Sequence, residues 1–207
     1  MKPIVICIVG ASGSGKTHMS KFLYEGFGIP MVVSMTTRPK RRNEVDGADH
    51  KFVSKQVIEK EKKADNILAY TQYGDHEYCA LHSDIKDKPI CSYVIDEVGL
   101  EYITLHFSHL YTIIAIYVER SLENRKLSGV SIERLHRDKK RYTLPPEYYD
   151  VIIDNNGTLG DFEENIIKVM SNKNNQKYYE IDGNNKEQTA DIHRMCARYG
   201  NRRVRRK

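Results

Sequence analysis

The sequence has no long apolar run and few cysteines. No apolar stretch approaches the roughly 20 residues that a membrane-spanning helix needs. The four cysteines, Cys7, Cys79, Cys91 and Cys196, are far apart and lack metal-ligand spacing, so we expect reduced thiols, with Cys7 and Cys91 packed in the core. The short apolar run behind Met1 leads directly into a glycine-rich loop, so we expect no cleaved signal and a cytoplasmic protein.

A net excess of positive over negative charge is also nearly absent outside one segment. The formal net charge is +5, and the segment Arg202–Lys207 carries five of the positive charges, so the rest of the chain is close to neutral. Such a tail is able to contact nucleic acid, but it has no aromatic interleaving and no recognisable module, so a solvated tail is favoured. We expect no membrane partner, and a monomer or homodimer.

Apolar runs recur along the first 170 residues and are separated by helix-compatible stretches. This pattern is typical of an α/β fold with a mostly parallel sheet flanked by helices. Pro30 is expected to start its strand, because proline has no N–H to donate to a central ladder. The predicted strands are residues 4–9, 29–33, 90–95, 113–118 and 151–153.

The remaining stretches have different compositions. Residues 34–88 are polar and show no long buried strand, which indicates an inserted substrate-binding lobe. Residues 121–141 are basic and helix-forming with a break near Ser128-Gly129, as expected of a mobile lid built of two short helices. Residues 159–170 predict a helix that packs on the sheet. The part from 171 to 207 is expected to be an appendage, with a linker and one helix at 189–198.

A complete phosphate-binding loop follows the first apolar run directly. Its glycines let backbone N–H groups turn towards a β-phosphate, its lysine reaches the β and γ oxygens, and its threonine hydroxyl is a ligand for Mg²⁺. The helix that follows directs its positive end at the phosphates. We therefore expect a nucleoside triphosphate with Mg²⁺ at this loop, here called the P-loop: Gly10, Ala11, Ser12, Gly13, Ser14, Gly15, Lys16 and Thr17.

A second motif, the segment Val33–Ser54 with the core SMTTRPKRRNEVDGADHKF, resembles the monophosphate-binding signature of guanylate kinases. The resemblance covers about residues 3–170. It implies a P-loop kinase fold in residues 1–170, with a core of 1–33 and 89–170, an acceptor lobe of 34–88 and a lid at about 121–141. It also implies ATP as phosphoryl donor and a small nucleotide as substrate.

By the same resemblance, Arg38 and Arg41 hold the acceptor's phosphate, and their planar guanidinium groups suit bidentate binding. A solvated basic turn is the alternative. Glu44 is expected to orient the two arginines, His50 stands where the family has a tyrosine, and Tyr78 matches a second family tyrosine.

Base recognition departs from the family pattern. Ser34 matches the hydroxyl that reads guanine, but Ala69 stands where the family has a glutamate and Ala80 where it has a second hydroxyl. A carboxylate that accepts from guanine N–H groups is a strong specificity device. Either a nearby polar residue such as Glu77 or Gln72 compensates, or the acceptor has a different base.

Further residues are assigned to catalysis by the resemblance. Asp96 is expected to bind Mg²⁺ through water or to orient the acceptor, with a helix N-cap as the alternative. Arg134 and Arg137 are expected to close on the transferred phosphoryl group, against the alternative of a solvated basic face. Asn155 is expected beside the adenine ring, unless it belongs to a plain turn.

The sequence thus predicts a kinase that moves the γ-phosphoryl group of ATP to a nucleoside monophosphate, GMP or dGMP first of all. Two alternatives stay open: the same reaction on another acceptor, such as another or modified nucleotide or one within a polymer, and a non-catalytic binding module. The intact Lys16 and Thr17 disfavour the binding module, because it has no need of a γ-phosphate lysine.

Overall fold

The computed structural model describes residues 2–171, and this part of the chain forms eight strands and seven α-helices. The strands are β1 Ile4–Val9, β2 Met35–Thr36, β3 Lys51–Phe52, β4 Ile67–Tyr73, β5 His76–Leu81, β6 Ile90–Val94, β7 Thr112–Glu119 and β8 Val151–Asp154. The helices are α1 Lys16–Phe27, α2 Lys55–Lys63, α3 His82–Ile85, α4 Glu97–Phe107, α5 Leu122–Leu127, α6 Ile132–Asp138 and α7 Leu159–Ser171, with a 3-10 turn at Pro146–Tyr148.

The larger sheet is parallel throughout, with the strand order β6-β1-β7-β8. Every residue of β1 is buried, as expected for a central strand covered on both faces. Ile6 packs with residues of α1 and α7 such as Leu23 and Phe162, whereas Cys7 faces the cluster that contains Leu100 of α4. The predicted α/β architecture with a parallel sheet flanked by helices is therefore confirmed.

Cys7, Cys79 and Cys91 are buried free thiols, as predicted for Cys7 and Cys91. Burial raises the pKa of the Cys91 thiol to about 12. Cys196 lies outside the described residues, as do the predicted linker from residue 172, the helix at 189–198 and the basic tail. Within residues 2–171, no helix combines the length and the apolar character needed to cross a membrane.

The prediction of a strand at 29–33 is wrong. This segment makes one isolated bridge, Met31 with Ser92, through two backbone hydrogen bonds: Ser92 N–H to Pro30 O and Val32 N–H to Ser92 O, each 2.8 Å. Because Pro30 has no N–H, the pairing with β6 does not extend back to Ile29.

The expectation that residues 34–88 contain no long buried strand is also wrong. These residues form a second sheet of order β3-β2-β5-β4, in which β4 has seven residues, most of them buried. β4 and β5 are antiparallel and joined by the two-residue turn Gly74-Asp75. The small sheet stands beside the larger one, because α4 packs on β4 through the same apolar cluster that covers β1.

Candidate active site

The P-loop joins β1 to α1, and Gly13 and Gly15 are among the residues that set its shape. Gly15 has φ 109° and Gly13 has φ 74°, values that favour glycine. A Cβ on Gly15 would stand 2.5 Å from Nδ2 of Asn155, and one on Gly13 would stand 2.2 Å from a methyl carbon of Val130. The loop therefore lies in direct contact with the segment between α5 and α6.

Asn155, which we expect beside an adenine ring, contacts the P-loop. Its side-chain N–H donates to the carbonyl oxygen of Ser14 at 2.7 Å, and the residue is buried. This contact positions the loop from the end of β8.

Lys16 is bonded to its own loop. Its ammonium donates to the carbonyl oxygens of Gly10 at 2.7 Å and Ala11 at 2.8 Å. Burial, reinforced by the positive charge of Arg141, lowers the pKa of Lys16 to about 8. A phosphate oxygen placed here would therefore meet a desolvated cation, whose attraction is stronger than in water.

Two cavities, of about 220 Å³ and 570 Å³, open between the P-loop, the small sheet and the α5–α6 segment. Both are lined by Lys16, Ser34, Arg41, His50 and Arg134. The smaller cavity also has Ser12, Tyr78, Asp96 and Arg137 in its wall, and the larger has Gly13, Gly15, Thr17 and Glu44. Most of the residues predicted to bind nucleotide are thus brought to one place.

Arg38 is placed differently from Arg41. Its guanidinium forms a bidentate pair with Glu44, with Nη1 2.7 Å and Nη2 2.5 Å from the two carboxylate oxygens, and only 7 % of its side chain is exposed. Arg38 lines neither cavity, whereas Arg41 lines both. Hydrogen bonds from Arg38, with those from the backbone of Arg41, lower the pKa of Glu44 to about 2. Glu44 therefore holds Arg38 in place, next to Arg41.

His50 and Ser34 form a pair at the wall of the cavities. The Ser34 hydroxyl and Nδ1 of His50 are 2.9 Å apart. Burial, and then the charge of Arg38, lowers the pKa of His50, which favours the neutral imidazole. The ring of His50 also stands edge-on to Tyr78, with 6.0 Å between ring centroids.

Asp96 is the N-cap of α4, which was the alternative to a role in catalysis. Its Oδ1 accepts from the backbone N–H of Gly99 at 2.8 Å and from the hydroxyl of Thr71 at 2.7 Å. The same residue lines the smaller cavity, so capping and ligand contact are compatible there. Thr71 lies on β4 and was not singled out from the sequence.

The two alanines at the expected base-reading positions are buried in the apolar cluster between the sheets. Ala69 is 1 % exposed and Ala80 0 %, and they face each other across β4 and β5. Glu77 is bonded to Lys62 and Tyr70, and Gln72 donates to the carbonyl oxygen of Gly74. Neither of these two polar residues lines the cavities.

The chain from α5 to Arg141 brings arginines to the smaller cavity and also makes carboxylate contacts that were not predicted. Arg134, Arg137 and Arg141 line the smaller cavity. Arg141 is paired with buried Glu97, whereas Asp138 accepts hydrogen bonds from Ser12 of the P-loop. Nothing in the local sequence around Glu97 or Asp138 signals these contacts, because each depends on residues distant in the chain.

A metal ion would find few protein ligands here. The described residues contain no group of three or more histidine, cysteine or acidic side chains placed to hold an ion. Thr17 and Asp96 offer one oxygen ligand each at the cavities. That supply fits Mg²⁺, which keeps several waters and is bound by one or two protein groups together with substrate phosphates.

A family model described as guanylate kinase matches residues 1–173. The guanylate kinase of Nitrobacter hamburgensis is 38 % identical over 76 residues, which are 36 % of this chain and 35 % of that protein. That of Lactiplantibacillus plantarum is 40 % identical over 77 residues, 36 % of this chain and 37 % of that protein. The matched part therefore spans little more than a third of these relatives.

The crystal structure of a guanylate kinase from Anaplasma phagocytophilum is similar to this chain over 88 % of both, with a TM-score of 0.63 and 18 % identity. At this identity the likeness shows the fold.

Proposed function

Because this chain belongs to the guanylate kinase family, we propose that it transfers the γ-phosphoryl group of ATP to a nucleoside monophosphate, GMP or dGMP, and releases ADP and the diphosphate. The observation that carries the proposal is the smaller cavity. It is lined by P-loop residues, by Arg41 of the acceptor lobe and by Arg134 and Arg137 of the lid. The phosphates of donor and acceptor repel each other when they meet, and cations from the P-loop, the acceptor lobe and the lid would offset that repulsion.

The donor's phosphates are assigned to the P-loop. The backbone N–H groups of residues 11–17 bind its β-phosphate, and Lys16 moves from the carbonyl oxygens it now contacts to the β and γ oxygens. Thr17, and Asp96 through water, would hold Mg²⁺, which would supply neutralisation of the phosphates' charge.

The acceptor's phosphate is assigned to Arg41, Arg38 and Tyr78, and its base to Ser34. Glu44 keeps Arg38 in place through the bidentate pair described above. Arg41 lines the cavity wall and Arg38 does not. Arg38 therefore binds the acceptor's phosphate only if its pair with Glu44 rearranges.

Catalysis requires no nucleophilic side chain, since the acceptor phosphate already carries an anionic oxygen. The rate comes from alignment of the two substrates and from stabilisation of charge on the transferred group by Lys16, Arg134 and Arg137. Closure of the lid excludes water, which limits hydrolysis of ATP.

The experiment measures ADP release from ATP and Mg²⁺ with GMP, dGMP, AMP, CMP, UMP and dTMP, and with a Lys16→Ala variant as control. We expect a strong preference for GMP or dGMP and no turnover in the variant. Preference for another monophosphate would assign the buried alanines Ala69 and Ala80 to a changed acceptor. Equal ATP hydrolysis with and without every acceptor would contradict phosphoryl transfer to nucleotides.

The proposed setting is the cytoplasm, where free nucleotides and Mg²⁺ are available, with the protein as a monomer or homodimer. A nucleotide within a polymer is the less favoured acceptor, since its only support in the sequence is the basic tail.

A further inference from the structure

The carboxylate of Asp138, at the end of α6, is seated on the P-loop. Its Oδ2 accepts from the backbone N–H of Ser12 at 2.7 Å, and its Oδ1 accepts from the hydroxyl of Ser12 at 2.9 Å. A turn of backbone N–H groups before a helix N-terminus is an anion-binding site. Here the anion comes from the chain itself.

Arg125 of α5 holds this carboxylate in place. Its Nη1 is 2.8 Å from Oδ2 of Asp138, and the two side chains are only 12 % and 7 % exposed. The same nitrogen lies 3.4 Å from the carbonyl oxygen of Ser12. Charge-assisted hydrogen bonds are stronger than neutral ones. The bond between Arg125 and Asp138 therefore stabilises the contact between the lid and the P-loop.

Two of the cations assigned to nucleotide phosphates also have partners within the chain. Lys16 is bonded to carbonyl oxygens of the P-loop. Arg137 donates from Nη2 to the hydroxyl of Ser12 at 3.2 Å, and its guanidinium carbon lies 5.0 Å from the ring centroid of Tyr73 on β4. The lid is thus joined both to the P-loop and to the small sheet by its own side chains.

We propose that Asp138 is an internal competitor of the nucleotide: its carboxylate closes the lid on the P-loop of the free protein, and the phosphates of ATP displace it on binding. The proposal rests on the assignment of the P-loop to ATP made above. Displacement also releases Arg125 from its carboxylate partner, so that its guanidinium is available to the incoming phosphates.

Competition of this kind weakens the apparent affinity. Only the fraction of molecules in which Asp138 has left Ser12 binds nucleotide, and the dissociation constant rises in inverse proportion to that fraction. Loss of the negative charge at position 138 removes both the competitor and its repulsion of phosphate.

The first experiment measures ATP dissociation constants by calorimetry for the full chain and the variants Asp138→Asn and Glu133→Gln. The first substitution removes the charge but keeps the size of the side chain, and Glu133 is an exposed acid on the same helix. We expect ATP to bind about tenfold more tightly to Asp138→Asn and unchanged to Glu133→Gln. Equal or weaker binding to Asp138→Asn would overturn the proposal.

Inorganic tripolyphosphate, titrated in the same way, separates this proposal from the proposed function. The probe carries no base or sugar and needs no acceptor, so the gain in Asp138→Asn is expected even if no monophosphate is phosphorylated. A gain for tripolyphosphate with no turnover on any acceptor would uphold the role of Asp138 and contradict the kinase.

Amide hydrogen exchange gives a readout that does not depend on a ligand. We expect slow exchange at Ser12 N–H in the free protein, and exchange at least about tenfold faster in Asp138→Ala, where the acceptor is gone. The amides of β7 are the internal control for folding and are expected to keep their rates. Unchanged exchange at Ser12 in a folded Asp138→Ala would overturn the proposal.

Discussion

Arg141 Nη2 lies 2.7 Å from Oε1 of Glu97, a side chain that is 1 % exposed. The pair connects the end of the lid to the first turn of α4. Burial raises the pKa of Glu97, and the charge of Arg141 opposes that shift. The carboxylate at this position therefore depends on its partner for its charged form.

A double-mutant cycle tests this dependence. Arg141→Gln is expected to lower the free energy of unfolding by about 3 kcal/mol, because it leaves a buried carboxylate without its cation. Adding Glu97→Gln is expected to recover most of that loss, which urea unfolding measures. Additive losses in the double variant would contradict a coupled pair. Lys140→Gln, at an exposed neighbour, controls for loss of a positive charge.

The pKa of Lys16, about 8, predicts a pH dependence. Its ammonium is present below that pH and is lost above it, so kcat/KM for ATP is expected to fall by about tenfold per pH unit above 8. Bound phosphates favour the charged form, so kcat at saturating ATP is expected to change less. ADP release, followed by chromatography between pH 7 and 9.5, measures kcat/KM for ATP and kcat. A flat kcat/KM profile over that range would count against a desolvated Lys16.

Glu44 predicts a pH dependence of stability of the opposite sense. Its pKa is lowered from 4.5 to about 2 in the folded protein, so its contribution is complete above about pH 5 and is lost as the pH falls towards 2. We expect Glu44→Gln to be about 2 kcal/mol less stable than the unaltered chain at pH 7, with a smaller difference at pH 3.

Urea unfolding at several pH values measures that difference. Glu25→Gln, at an exposed acid of α1, is the matched control and is expected to follow the unaltered chain. A difference for Glu44→Gln that stays constant down to pH 3 would show that its carboxylate is not the titrating group.

Ser34 is expected to affect the acceptor and not the donor. Ser34→Ala removes the hydroxyl that His50 contacts at 2.9 Å in the cavity wall, and with it the hydrogen bond that we propose to the base. KM for GMP is expected to rise about tenfold, the effect of about 1.4 kcal/mol, while KM for ATP stays within twofold. Ser54→Ala, at an exposed N-cap without a side-chain cap bond, is the control. Equal changes in both KM values would contradict the assignment of Ser34.

The elements that sequence patterns predict well are those with an uninterrupted local signal. β1, β6, β7 and β8 are runs rich in β-branched residues, and all four form the parallel sheet. Residues 29–33 are also mostly apolar but form a single bridge, and Pro30 lacks the N–H that pairing at Ile29 needs. β4 was missed because polar Thr71 and Gln72 interrupt its apolar residues.

The same distinction applies to the site. The P-loop and the segment from Arg38 to His50 are contiguous motifs, and their residues gather at one pair of cavities. The contact of Asp138 with Ser12 joins residues 126 positions apart and was not predicted. The burial of Ala69 and Ala80 was likewise not predictable from their positions in the sequence, because it follows from the packing of α4 on β4.

The place of β1 in the larger sheet determines when the fold can be completed during synthesis. β1 is made first among the strands, yet Ile4 pairs with Ile90 on one side and with Thr112 on the other. The P-loop therefore leaves the ribosome long before the strands that flank it, and contacts so distant in the chain form slowly. Until β6 has emerged, the apolar residues of β1 have no neighbouring strand to pair with, and this strand is open to aggregation.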